Sequence, residues 1–141
     1  MTTETSGAIV SLSPSQCWEF LQRMELGRLA VSAAGSIDIL PINYVVYKDK
    51  IYFRTAPGTK LASLTVNRNV AFEIDEVQDG TARSVVVHGT ARELDRSDEK
   101  DEIDALPLTP WIPTLKYSFV EITPTDITGR QFDIAPEPER Y

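Results

Sequence analysis

The chain has 141 residues, 42% hydrophobic and 25% charged, with a formal net charge of −7. That length gives one domain with a full core, and the composition is that of an ordinary soluble globular protein. The acidic balance argues against nucleic acid as the main partner, and one cysteine with one histidine excludes a disulfide framework and disfavours a dedicated zinc site.

No run reaches membrane-spanning length and no leader pattern opens the chain, so a cytoplasmic protein without a membrane partner is expected. Residues 1–8 are small and mostly uncharged, and 135–141 are rich in Pro and Glu; both ends are expected to be flexible. Ser13-Pro14-Ser15-Gln16 has the form of a helix start, with Ser13 as cap, Pro14 at the first position and Gln16 completing a capping box. Cys17, Phe20, Leu21 and Met24 follow at helical spacing on one face. Cys17 therefore reads as core, with no histidine near it in sequence to activate a thiol.

Gly27–Ser32 begins a strand phase that turns at Ala34-Gly35-Ser36, and Ile37–Leu40 leads into Pro41. Ile42–Tyr47 and Ile51–Thr55 flank Lys48-Asp49-Lys50 and predict a hairpin. Leu61–Asn67 predicts a short helix. Val70–Ile74 and Ser84–Ala91 predict two strands joined around Asp79-Gly80, with His88 as a strand-surface residue. Ser97–Leu106 predicts a helix with its acids at the favourable end. Those acids lack a calcium-loop pattern and read as a solvated face. Pro107, Pro110 and Pro113 frame Trp111 in a loop. Lys116–Ile122 and Asp126–Phe132 predict two last strands around a Pro124 corner. Short strands joined by tight turns favour an antiparallel β-barrel with peripheral helices. A barrel this small fills its interior with side chains, so a ligand binds outside it or between subunits.

The stretch Pro41–Lys60 carries the strongest chemical signal. Its second strand empties into Ala56-Pro57-Gly58-Thr59-Lys60 at an apparent helix start. Free backbone N–H groups, a hydroxyl and an ammonium there suit an anion. Lys48 to Arg68 holds five bases against one acid, a charge of +4, which leaves −11 on the rest of the chain. A basic island in an acidic chain suggests a small anionic ligand. Lys48, Lys50 and Arg68 read as solvated residues, whereas Arg54 and Lys60 are candidates for a phosphate as much as for solvent. The nucleotide-binding P-loop spacing is absent.

The ordered set Gly27-Arg28-Leu29-Ala30, Pro41-Ile42-Asn43-Tyr44, Phe53-Arg54-Thr55-Ala56, Gly58-Thr59-Lys60-Leu61, Val70-Ala71-Phe72-Glu73, Val85-Val86-Val87-His88-Gly89 and Pro110-Trp111 resembles the pyridoxamine 5′-phosphate oxidase-like family, in its short actinobacterial-type members. The resemblance runs from about Leu12 to Phe132. It implies a six-stranded split β-barrel that dimerises, with FMN in each groove between the subunits. By that analogy Pro41, Ile42, Asn43 and Tyr44 lie along the isoalloxazine edge, mainly through backbone hydrogen bonds. Arg54 and Thr55 face the ring or ribityl chain, Gly58, Thr59 and Lys60 hold the phosphate, and Ser84 and Trp111 are further contacts. Trp111 has an equal reading as a loop anchor.

The resemblance departs from true pyridoxamine phosphate oxidases in two places. The strand before the hairpin is Pro41-Ile42-Asn43-Tyr44 instead of a basic one, and the end is Phe132-Asp133-Ile134 instead of a Trp/Arg segment. The implied activity is therefore FMN-dependent hydride transfer at flavin N5 on another small molecule. No side chain reads as the general acid or base. The alternatives are a deazaflavin-dependent reductase and a non-catalytic module holding flavin or haem, where His88 would serve as an axial ligand.

Overall fold

The computed structural model describes residues 9–55, 67–94, 102–103, 105–106 and 118–134. Its elements are β1 (Val10–Ser11), α1 (Pro14–Arg23), β2 (Leu26–Ala33), β3 (Ser36–Asn43), β4 (Val45–Tyr47), β5 (Lys50–Thr55), β6 (Asn69–Gln78), β7 (Thr81–Glu93) and β8 (Ser118–Asp133). They form one antiparallel sheet in the order β3-β2-β6-β7-β8-β5-β4, with β1 added to β8. Six strands have six residues or more, the number expected; β1 and β4 are short additions.

The sheet must curl. Its two terminal strands, β3 and β4, are consecutive in the chain and separated only by Tyr44. A flat sheet would put them six strand spacings apart, about 29 Å. The single residue between them fixes the barrel, split where β3 leaves off and β4 begins.

Alternation along the strands selects the interior. Leu29 and Val31 of β2, Phe72 and Ile74 of β6, Val85 and Val87 of β7, Val120 and Ile122 of β8, and Ile51 and Phe53 of β5 all face the core. Removing a side chain of this size from water contributes about 2 kcal/mol each. The capping box of α1 is present in both directions, Ser13 N–H to Gln16 Oε1 at 2.8 Å and Gln16 N–H to Ser13 Oγ at 3.2 Å. The helix buries Cys17, Phe20 and Leu21 in the same cluster, so the cysteine is a core residue. Arg23 clamps the helix to β6 through both oxygens of Glu76, at 2.9 and 2.7 Å.

Three two-residue turns set the registers. Ala34-Gly35, Lys48-Asp49 and Asp79-Gly80 all have positive φ at both positions, and Ala33↔Ser36, Tyr47↔Lys50 and Gln78↔Thr81 pair across them. This backbone twist suits tight hairpins. Lys50, expected in the turn, is therefore the first residue of β5.

Two expectations are corrected. Ile42 belongs to β3 and not to the hairpin arm, because Tyr44 breaks the strand. Its N–H donates to the Glu25 carbonyl at 3.0 Å and its hydroxyl to the Leu21 carbonyl at 2.6 Å, which turns the side chain into the core against Phe72. The second concerns Pro124, expected at a corner between two strands. Residues Ser118–Asp133 form one strand, which passes the proline by a bulge: His88 pairs with Asp126 and Gly89 with Pro124, leaving Thr125 over. A Cβ on Gly89 would lie 2.4 Å from the Thr123 carbonyl oxygen, so the close approach at the bulge requires glycine.

Of the expected helix Ser97–Leu106, Glu102 and Ile103 are helical, and Ile103 and Leu106 pack on Tyr52 and Phe119. The expected helix over 61–66, the loop 107–113 and the two chain ends, 1–8 and 135–141, lie outside the described residues.

Candidate functional site

The split between β3 and β4 brings together two of the stretches singled out in the sequence. Val45↔Tyr52 is the last rung between β4 and β5 on the side of the split, because Tyr44 turns into the core. No ladder joins β3 to β5 there, although the two strands are in contact. Pro41, Ile42 and Asn43 end a strand whose other edge has no strand partner among the described residues. An edge strand alternates N–H donors and C=O acceptors outward. Pro41 can offer only its carbonyl, and the Tyr44 N–H is already taken by Glu25. The Asn43 amide also reaches that carbonyl, at 3.5 Å. Burial raises the Tyr44 phenol and its hydroxyl is held by Leu21, so its side chain is structural.

Arg54 is half-buried, with its guanidinium carbon 5.7 Å from the centre of the Phe119 ring. This stacking holds the cation on the outer face of β5 beside the split. Thr55 follows as the last residue of β5. Gly58, Thr59, Lys60 and Trp111 lie outside the described residues. Ser84 is elsewhere: β7 is three strands from β3 in the sheet order, about 14 Å away.

The outer face of β3-β2-β6-β7-β8 carries a second grouping that the sequence reading did not assemble. Registers place Pro41, Arg28, Glu73, Val86 and Thr128 in one row across it. The next row holds Ile39, Ala30, Ala71, His88 and Asp126. Ile37 and Ile39 are 73% and 66% exposed, and only small residues stand beside them on β2. Arg28 donates to Glu73 at 3.1 and 2.7 Å and also pairs with Asp75. One guanidinium thus serves two carboxylates. Burial, then the hydrogen bond and charge of Asp75, push Glu73 up to about 7 against the pull of Arg28. Asp75 is held below the ordinary range, first by its hydrogen bond with Glu73 and then by Arg28. Strand parity puts these residues on one face, since Leu29 and Val31 inward put Arg28 outward, and Phe72 and Ile74 inward put Glu73 and Asp75 outward; the β2–β6 register brings them together.

A third polar group lies on the other side of the barrel, where β7, β8 and β5 adjoin. Glu121, 6% exposed, accepts from the Tyr52 hydroxyl at 2.8 Å and Arg92 Nε at 2.9 Å, with Lys50 Nζ at 3.5 Å. Close by, Glu102 accepts from the Tyr47 hydroxyl at 2.5 Å and Lys48 Nζ at 3.2 Å. Glu102, expected on a solvated helix face, and Lys48, expected as a solvated turn residue, thus tie a helical turn to the β4–β5 turn.

The chemistry of these groups is positioning and charge. Related proteins carry the same fold. The family model described as pyridoxamine 5′-phosphate oxidase matches residues 13–131. A crystal structure from Corynebacterium glutamicum, of a candidate pyridoxamine 5′-phosphate oxidase, is 47% identical with a TM-score of 0.85, covering 90% of this chain and 100% of its own. The FAD-binding protein of Mycobacterium smegmatis is 37% identical with a TM-score of 0.78, covering 89% and 100%. A FAD-binding protein of Mesorhizobium loti is 26% identical with a TM-score of 0.77, covering 87% and 97%. With a family match over most of its length and a relative at 47% identity across that relative's full length, the chain belongs to the pyridoxamine 5′-phosphate oxidase family.

Proposed function

We propose that the protein is a flavin-dependent oxidoreductase: a homodimer with FMN at the subunit interface, acting on a small molecule other than pyridoxamine phosphate. The observation that carries this reading is the split itself, where β3, ending at Pro41–Asn43, and β5, carrying Arg54, are in contact without a ladder between them. The pyrimidine side of an isoalloxazine alternates donors and acceptors, and an edge strand offers the complementary alternation. The residues present fit the group. Pro41, Ile42 and Asn43 would hold the ring edge by backbone, Arg54 and Thr55 the ring or ribityl chain, and Gly58, Thr59 and Lys60 the phosphate. Tyr44 would contribute by fixing the strand break and Trp111 by a further contact, whereas Ser84, three strands from β3, is left out of this groove.

When bound, the flavin supplies hydride transfer at N5. The chain's own residues orient the ring, keep water from one face of it and place positive charge near its N1–O2 side. The exposed Ile37 and Ile39 beside Ala30 and Ala71 support a second copy on this face, since an isologous contact would cover them. A cytoplasmic location belongs to the same reading. FAD is the second reading, favoured by the two FAD-binding relatives. FMN and FAD share the ring, the ribityl chain and the first phosphate.

The test is a visible-absorbance titration of the full chain with FMN, FAD and the deazaflavin coenzyme, repeated on Lys60→Ala. Wild type takes up FMN and bleaches with NAD(P)H or dithionite, and the variant loses about 10- to 100-fold in affinity while its fold is unchanged. Preference for FAD corrects the cofactor alone. Binding of the deazaflavin coenzyme in place of both replaces this reading. Binding without turnover leaves a carrier instead of an enzyme.

A further inference from the structure

The Arg28–Glu73–Asp75 cluster has a consequence for assembly, which rests on the dimer reading above. We propose that association of two copies through the outer face of β3-β2-β6-β7 is coupled to proton uptake by Glu73, so that the dimer is tighter in mildly acid than in mildly alkaline solution.

Geometry sets the problem. The cluster sits in the same row as Pro41 and one row from the exposed Ile39. Any surface that covers those apolar residues also removes water from the cluster. With both carboxylates ionised it carries one positive and two negative charges, a net −1 per subunit. Related by a twofold axis, two such clusters bring −2 into one interface. Burying an uncompensated charge is more costly than neutralising it.

Among the described residues the face offers no second cation at bonding distance. Arg130, the nearest outward base on β8, is opposite Ser84, which is opposite Asp75, so it stands two strands from Asp75, about 10 Å. His88 on β7 is opposite Ala71 and next to Asp126 of β8, one row away from Glu73. β3 contributes only uncharged residues to this face, Ile37, Ile39, Pro41 and Asn43. Protonating one carboxyl is the available remedy, and Glu73 is the one placed to accept the proton. It can share it with Asp75 as a carboxyl–carboxylate pair while Arg28 neutralises the remaining charge.

The sign follows. Burial and Asp75 push Glu73 up to about 7 in the open subunit, and removing more water by covering the face would lift it further. Below that pH it is protonated before and after association, and the dimer constant is flat. Above it each subunit must take up a proton to associate, so the constant weakens by up to about 100-fold per pH unit for two sites.

The experiment is sedimentation equilibrium of the full chain from about pH 6 to about pH 9 at fixed ionic strength. The expected result is a dimer constant at least about tenfold weaker at the alkaline end. Glu73→Gln should remove that dependence and hold the constant near the acid-side value, while His88→Asn should leave the dependence in place. Where the dimer is too tight for sedimentation, the same linkage appears in how the urea midpoint shifts with protein concentration at each pH. A dimer constant flat to within about twofold, or a pH dependence that survives in Glu73→Gln, overturns the proposal and leaves the dimer standing. A chain that stays monomeric throughout overturns both.

Discussion

Glu121 and Glu73 are both outward-facing strand carboxylates on one sheet, and the difference that matters most between them is the number of donors around each. Glu121 has Tyr52, Arg92 and Lys50 around it, and a helical turn packs beside it through Ile103. Burial pushes its pKa up, but the hydrogen bonds of Arg92 and Tyr52 and the charges of Arg92 and Lys50 outweigh burial and leave it below the ordinary range. Glu73 shares one guanidinium with Asp75 and is pushed up to about 7. The first cluster is complete within the subunit. The second is complete only with a proton or with something from outside. That contrast separates a carboxylate matched by donors within the fold from one that shares a single guanidinium with a second carboxylate.

The comparison breaks most sharply at Glu121. Glu121→Ala removes the acceptor of a buried phenol and of Arg92, and should cost about 2–3 kcal/mol in urea denaturation. Arg92 and Lys50 keep part of their hydration, which holds the loss below that of a fully enclosed pair. The pH dependence has a definite sign. A depressed folded pKa contributes stability above the unfolded carboxylate value and loses it as the pH falls through the folded one. Wild type should therefore lose stability on acidification more steeply than Glu121→Gln, and parallel acid titrations by circular dichroism check this.

Tyr52→Phe is the milder probe of the same group. It removes one donor and leaves Arg92 and Lys50 in place, for an expected loss of about 1 kcal/mol. Burial and the neighbouring Glu121 carboxylate hold the Tyr52 phenol well above its ordinary value. Alkaline difference spectra should accordingly show one fewer late-titrating tyrosine in the variant, and an unchanged spectrum would remove Tyr52 from the network.

Much of this architecture was legible in the chain. The runs Gly27–Ser32, Val70–Ile74 and Ser84–Ala91 fall inside β2, β6 and β7, the Ser13–Gln16 box began the helix where it begins, and Asp79-Gly80 marked its turn. The failures share a cause. Tyr44 sits in an unbroken β-branched and aromatic run, and only the carbonyls of Leu21 and Glu25, distant in sequence, pull it out of the strand. Pro124 looked like a corner because proline removes a ladder donor, whereas the bulge at Thr125 and the missing side chain of Gly89 let the strand continue. The carboxylate clusters were invisible for a related reason. Parity says that Arg28 and Glu73 both face outward, but their meeting depends on the register of β2 against β6, strands 45 residues apart at that contact.

The smallest effect expected on the subunit itself is at Glu73, and its smallness is informative. A raised folded pKa contributes stability that is complete below the unfolded carboxylate value and is lost as the pH rises through about 7. Glu73→Gln lacks this loss, so it should match wild type in acid and exceed it by no more than about 1 kcal/mol in mild alkali, because the group is partly solvated and Asp75 shifts the opposite way. Urea midpoints at two protein concentrations separate this intrinsic effect from assembly. A gain belonging to the folded subunit is the same at both concentrations, whereas a gain through association grows with concentration. If the alkaline advantage of Glu73→Gln is wholly independent of concentration, the cluster is a local strain within one subunit and the contrast with Glu121 is one of degree. If it grows with concentration, the unmatched carboxylate belongs to the encounter between two copies, and the difference between the clusters is one of purpose.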